Sequence, residues 1–235
     1  MKIRILLAIL SLPLLVSFSF AQPKEENKLV QFHMAVLKKG PKWDGVVEPA
    51  KNPTLKQHLA YFVSLLDSGK AIIGGPMPDS KDFAGIYILR ANSAEEARTW
   101  TDADPAVRAG LFTAEMHPWW SEDIFKKATT TPLKMETVYL GFLKRGPNRK
   151  EGDGNTSEVQ ELQKAHIANI NRLAATKKLV MAGPFGGNGD LRGIFVFRVG
   201  SLKEAQDLAA TDPMIKIDRL RLELHPWRVP AGVIP

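Results

Sequence analysis

From Leu29 to Lys38 the chain alternates. Val30, Phe32, Met34 and Val36 fall on one side, and Gln31, His33, Ala35 and Leu37 on the other, which is the period of a β-strand. Gly40-Pro41 ends that strand. Asn52-Pro53 then offers an N-cap and a first helical residue. Leu55, Leu59, Phe62 and Leu66 recur at helical spacing until Gly69 stops the helix. Ala71-Ile72-Ile73 reads as a short buried strand, Gly74-Gly75-Pro76 as the turn after it, and Gly85 to Arg90 as a third strand. Ser93 with Glu96 three residues on makes a capping box. Asp104-Pro105 closes that helix, and Leu111 to His117 forms the last strand. Two crossovers of this kind predict a four-stranded antiparallel sheet with both helices on one face, the ferredoxin-like βαββαβ arrangement.

The pattern occurs twice. Displacing the sequence by 108 positions sets His58 on His166, Gly75-Pro76 on Gly183-Pro184, Asp104-Pro105 on Asp212-Pro213, and His117-Pro118-Trp119 on His225-Pro226-Trp227. Residues 58–119 share 19 identities with their counterparts over 62 ungapped positions, where chance gives about four. Upstream the displacement is 106, setting Lys39-Gly40-Pro41 on Arg145-Gly146-Pro147. The expected organisation is therefore α+β: repeat 1 over 29–120, a linker over 121–134 with Thr129-Thr130-Thr131-Pro132, and repeat 2 over 135–228. Each sheet keeps one bare face that must be covered, so the two sheets are expected to pack face to face within one chain, a monomer with an internal pseudo-dimer.

The start of the chain follows a different rule. Lys2 and Arg4 precede an apolar run from Ile5 to Ala21 that ends in Ser19-Phe20-Ala21. This predicts a cleaved signal peptide over 1–21, a mature chain from Gln22, and export to the periplasm or beyond, with no membrane association after cleavage. A transmembrane anchor is the competing reading, but the run is short for a bilayer core of roughly 30 Å and contains Pro13. Losing Lys2 and Arg4 takes the formal net charge from +7 to +5. That excess is scattered, without the basic stripe that nucleic-acid binding needs, and it favours solubility and anionic small molecules. The absence of cysteine removes disulfides, thiol nucleophiles and iron–sulfur clusters.

In their order and spacing, twice over, the strand-end Gly-Pro, the mid-helix His, Gly75-Pro76, Ser-x-x-Glu-Ala, Asp-Pro and the terminal Pro-Trp resemble the YCII-related (YciI-like) domains of the dimeric α+β barrel superfamily. The resemblance covers about residues 29–120 and 135–228. It implies a His–Asp active site in each copy, His58 with Asp104 and His166 with Asp212, and, from members that act on chlorinated aromatics, proton chemistry of the dehydrochlorination kind. The export signal and the fusion depart from the short single-domain pattern of that family.

Read as residues, an imidazole beside an apolar stripe is a candidate general base, and a carboxylate on its other nitrogen would fix the tautomer and strengthen it. Asp before Pro is equally a helix-terminating turn, and a helical His equally a packed one. A second polar set comes from the last strands. If Phe112, Ala114 and Met116 face the helices, Thr113, Glu115 and His117 face the bare side, as do Arg219, Arg221, Glu223 and His225 in repeat 2, with His33 and Tyr139 joining from the first strands. These groups either pair across the sheet interface or line a ligand site between the sheets. No metal or cofactor is expected, since the histidines lack ligand spacing and no phosphate loop or serine elbow occurs. Trp119 and Trp227 read as packing anchors. Two functions stand: an exported enzyme abstracting a proton from a small anionic organic substrate (lyase- or isomerase-like), or a non-catalytic binder of a small molecule, haem or metal between the sheets.

Overall fold

The computed structural model describes residues 28–150 and 152–235; the expected signal peptide lies outside them. Repeat 1 runs β1 (Leu29–Lys39), α1 (Pro53–Asp67), β2 (Ala71–Pro76), β3 (Phe83–Leu89), α2 (Ala94–Asp102), a one-turn α3 (Pro105–Arg108) and β4 (Phe112–Glu122). Repeat 2 runs β5 (Met135–Arg145), α4 (Ser157–Ala175), β6 (Leu179–Pro184), β7 (Leu191–Phe197), α5 (Leu202–Ala209), α6 (Pro213–Lys216) and β8 (Leu220–Pro230). The two sheets are four-stranded with orders β2-β3-β1-β4 and β6-β7-β5-β8. The neighbouring strands are antiparallel. Both halves thus share the ferredoxin-like topology, fused as a pair.

Register decides which residues face which layer, because directly opposed residues share a face. Phe32 opposes Trp119, Met34 opposes His117 and Ile88, and Val36 opposes Glu115 and Ile86. In repeat 2, Val138 opposes Trp227, Leu140 opposes Val196 and His225, and Phe142 opposes Ile194. These apolar side chains form one buried cluster shared by both repeats. Removing a Phe or Leu of this kind from water contributes about 1.5–3 kcal/mol each.

The barrel closes at its edges, where β8 lies along β2 and β4 along β6. The Trp119 indole N–H donates to the Gly183 carbonyl at 3.1 Å, and that of Trp227 donates to the Gly75 carbonyl, also at 3.1 Å. A Cβ on Gly75 would meet the Arg228 carbonyl oxygen at 2.0 Å, and one on Gly183 the Trp120 carbonyl oxygen at 1.9 Å. The duplicated Gly-Pro and Pro-Trp motifs are therefore the two halves of one clasp, and both indoles are fully buried. This close approach also explains two departures from the expected boundaries. Gly74-Gly75-Pro76 continues β2, pairing with β3, rather than forming a turn after it. β4 runs on to Glu122, pairing with β1 as far as Leu29 and taking Ser121 and Glu122 from the linker. The rest of that linker is packed: Ala128 is buried, Phe125 meets Phe32 edge-on at 5.6 Å, and the Lys126 N–H donates to the Val233 carbonyl at 2.8 Å.

Candidate active site

Each Asp-Pro unit builds a short helix start. Asp104 is the N-cap of α3 with Pro105 as its first residue, and Asp104 Oδ1 accepts the Ala106 N–H at 2.8 Å. Asp212 does the same for α6, accepting from Met214 at 2.9 Å. A capping carboxylate at a helix N-terminus is stabilised by the backbone donors and the helix dipole. Both carboxylates are wholly buried, and each has an oxygen left over for a histidine.

α1 carries that histidine in repeat 1. Asn52 caps it, accepting from Thr54 and Leu55, and Leu55, Phe62, Leu65 and Leu66 form its buried face. Leu59, expected within that stripe, is 41 % exposed and borders a cavity instead. His58 Nδ1 lies 2.8 Å from Asp104 Oδ2, and His166 Nδ1 lies 2.7 Å from Asp212 Oδ2. Both expected pairs form within their own repeats. In a neutral ring, a proton on Nδ1 is donated to the carboxylate and Nε2 keeps the lone pair.

Around the pairs the repeats differ. Tyr87 on β3 stacks on Phe62, with ring centroids 4.8 Å apart, and donates its hydroxyl to Asp104 Oδ2 at 2.7 Å. Burial, with the Asp104 charge beside it, pushes the phenol well above its usual range and keeps it a donor. The counterpart in repeat 2 is Phe195, which stacks near His166 with no hydroxyl to offer. Tyr87 is not among the residues the repeats share, and its signal in the sequence is a difference between them. The His58 side chain keeps 20 % of its surface exposed, against 10 % for His166.

His58 opens on a cavity of about 500 Å³ lined by Trp43, Leu55, Leu59, Phe62, Tyr87 and Phe112 among others, with Met135 and Arg228 contributed by repeat 2. The Lys39 ammonium stands 5.9 Å from the centre of the Trp43 ring and donates to the Ser80 carbonyl at 2.8 Å.

The polar set expected between the sheets is distributed otherwise. Glu115, His117, Glu223 and His225 do lie on the inter-sheet faces, and Arg221 opposes Lys144 at the start of β8. Their ion pairs form within each sheet rather than across the interface: Lys38 with Glu115 at 2.5 Å, Lys144 with Glu223, and His225 with Glu223 at 2.9 Å. Burial raises the Glu223 carboxyl, but the bonds from Lys144 and His225 outweigh it and hold the group low. Across the interface the imidazoles meet aromatic rings, His117 with Phe185 at 5.4 Å and His225 with Phe83 at 5.3 Å. Arg219 is buried and bonded to Asp153.

His33 and Tyr139 belong to the other layer. His33 opposes Leu89 and Pro118 and sits near Glu95 and Glu96 at the start of α2, its burial lowering its pKa. Tyr139 packs on the helix-side core of repeat 2. The strand alternation puts each out of phase with Phe32 or Val138, so neither reaches the inter-sheet space. That space is filled by Phe32, Met34, Leu140, Phe142 and their neighbours, and a haem there would have to displace them. Among the described residues no cluster of three or more His, Asp or Glu is arranged to hold a metal, and no helix is long and apolar enough to cross a membrane.

Fold and site together define a pseudo-dimeric α+β barrel with a carboxylate-bound histidine in each half. The YCII-related domain model matches residues 21–119 and 139–228, and the chain belongs to that family. It is similar to protein YciI of Escherichia coli, 41 % identical over 63 residues, covering 23 % of this chain and 64 % of that protein. The alignment thus spans just under two thirds of that relative. Chlorite dismutase from Candidatus Nitrospira defluvii superposes with a TM-score of 0.56 at 13 % identity over 86 % of this chain and 92 % of that one. A heme-binding protein from Thermus thermophilus does so with a TM-score of 0.52 at 13 % identity, over 86 % and 92 %. At such identity these two share the fold with this chain.

Proposed function

We propose that this chain is an exported enzyme that abstracts a proton from a small, largely apolar organic molecule bearing an acidic group, using His58 of repeat 1 as the base. The observation that carries the reading is that the 500 Å³ cavity opens on an imidazole whose Nδ1 is tied to a fully buried carboxylate. His58 Nε2 takes the proton from a carbon acidified by a neighbouring carbonyl or phenol. The electron pair left on carbon then expels a leaving anion such as chloride, or is reprotonated at another carbon by the same imidazolium. Asp104 stabilises the cation that forms, and Tyr87 holds Asp104 in place. The Trp43, Phe62 and Phe112 walls suit a ring, and Lys39 suits its acidic substituent. Export rests on Lys2, Arg4 and the apolar run ending at Ala21, and the internal pairing of repeats supports a chain that acts as a monomer.

The mature chain is incubated in D₂O with a panel of phenols and aromatic carboxylates, chlorinated and not, following loss of substrate C–H signals by NMR and release of chloride. Exchange or elimination that falls about 10²- to 10⁴-fold in His58→Ala supports the reading. Compounds that raise the melting temperature but exchange no proton would leave the cavity as a binding site and remove the catalytic claim.

A further inference from the structure

The two repeats line corresponding ground with different chemistry. Lys39, Trp43 and Ala84 border the cavity of repeat 1, and their counterparts in repeat 2 are Arg145, Arg149 and Arg192. Arg145 ends β5, Arg149 lies in the following loop, Arg192 is on β7, and Arg219 precedes β8. Arg219 is held in a bidentate pair by Asp153 at 2.5 and 2.6 Å. Arg192 donates to the Gly187 carbonyl at 2.9 Å and more weakly to that of Gly189 at 3.4 Å, which hold it over the β6–β7 loop. Neither carbonyl carries the charge that would neutralise it. Asp153, already engaged by Arg219, is the one carboxylate among the described residues that bonds to any of the four. Arg149 is half-buried. Burial, then the charges of Arg192, Arg219 and Arg145, push its pKa down, with Asp153 alone opposing them. The Arg145 backbone N–H donates to the Asp190 carbonyl at 2.8 Å, the Arg149 backbone N–H to the Gly146 carbonyl at 3.2 Å and the Gly146 N–H to the Arg219 carbonyl at 3.0 Å, so the ends of β5, β7 and β8 bring these arginines to one corner of repeat 2. Guanidiniums gathered in this way are stabilised when an anion completes the set.

We propose that Arg145, Arg149 and Arg192 form a binding site for a multiply charged oxyanion, a phosphate or polycarboxylate group of a small molecule, separate from the cavity at His58. Three guanidiniums that no carboxylate among the described residues bonds select charge, where the aromatic walls of repeat 1 select an apolar ring. The divergence of the repeats has then produced two sites of different preference from one ancestral position.

The test is calorimetric titration of the mature chain with inorganic phosphate and, separately, citrate, with sodium chloride at matched ionic strength as control. Saturable binding of either anion, with a chloride response that is absent or non-saturable, is expected, and the tighter of the two names the class. Arg149→Gln removes a guanidinium that makes no hydrogen bond among the described residues, so it should fold and melt at or above the wild-type temperature in anion-free buffer. It should also weaken binding at least 10-fold and lose the anion-induced rise in melting temperature. Arg192→Lys, which keeps the charge but not the fork, should weaken binding less than Arg149→Gln. Equal responses to chloride and phosphate, or undiminished binding in Arg149→Gln, would overturn the proposal. Because His58 is untouched, its exchange chemistry should persist in both variants, which separates this outcome from the fate of the enzymatic reading.

Discussion

The hydroxyl of Tyr87 donates to Asp104 Oδ2 at 2.7 Å, and the second repeat sets Phe195 where Tyr87 stands. One atom therefore separates two otherwise matched His–Asp pairs. In repeat 1 the carboxylate is held by the Ala106 amide, His58 and Tyr87 together. In repeat 2 the amides of Met214 and Ile215 and the ring of His166 hold it without a phenol.

Tyr87→Phe should cost about 1.5–3 kcal/mol of stability, the range for a hydrogen bond to a charged group, measured by urea denaturation. It should lower kcat more than it raises KM, since the hydroxyl that is lost is bonded to Asp104 while the ring stays in place as part of the cavity wall. Phe195→Tyr offers the missing donor to repeat 2 and should leave activity at His58 unchanged.

The clasp makes a second prediction. Gly75→Ala and Gly183→Ala each drive a methyl into a backbone carbonyl at 2.0 or 1.9 Å. Gly75 also has a φ of +153° that a side chain disfavours. Each change should destabilise the chain by about 2–3 kcal/mol, read from the urea midpoint, whereas Gly154→Ala, which meets nothing within 4 Å, should not.

Much of this architecture is legible in the sequence because the duplication doubles every weak signal. The topology and the anchoring role of Trp119 and Trp227 follow from period and register, and both His–Asp pairs from the resemblance to the YCII-related domains. What is not legible is instructive. Alternation alone leaves His33 and Tyr139 free to be assigned to the space between the sheets, yet the strand phase set by Phe32 and Val138 sends them to the helices. Tyr87 reads as one more apolar strand residue until Asp104 is seen beneath it. The cavity depends on a loop, on Leu59 turning outward and on residues borrowed from repeat 2, none of which a periodic pattern records.

Repeat 2 has Lys177 at φ 59° and Asp218 at φ 54°, where repeat 1 has Gly69 and Gly110 at φ 74° and 77°. Left-handed backbone costs a side-chain-bearing residue roughly 1–2 kcal/mol, partly offset by the greater freedom glycine has when unfolded. Lys177→Gly should therefore raise stability by up to about 1 kcal/mol, and Gly69→Lys should lower it, both measured by thermal and urea denaturation.

Acid dependence follows from Asp153, whose bond from Arg219 holds its carboxyl at about 2, below its ordinary 3.8. A carboxylate depressed on folding contributes stability that is whole above the unfolded value and lost as pH falls through the folded one. The Asp153–Arg219 contribution should thus persist at pH 5 and disappear between about pH 4 and pH 2. NMR titration of the Asp153 carboxyl should give a midpoint near 2, and Asp153→Asn should flatten that part of the stability profile.

The proposed function places the chemistry in repeat 1 although both repeats hold a His–Asp pair. Parallel assays of His58→Ala and His166→Ala in D₂O, on whichever panel compound the wild-type chain exchanges, test it most directly. A loss of about 10²- to 10⁴-fold is expected for His58→Ala, with near wild-type rates for His166→Ala. Equal partial losses in the two single variants, with full loss only in the double variant, would contradict it and make the repeats equivalent sites.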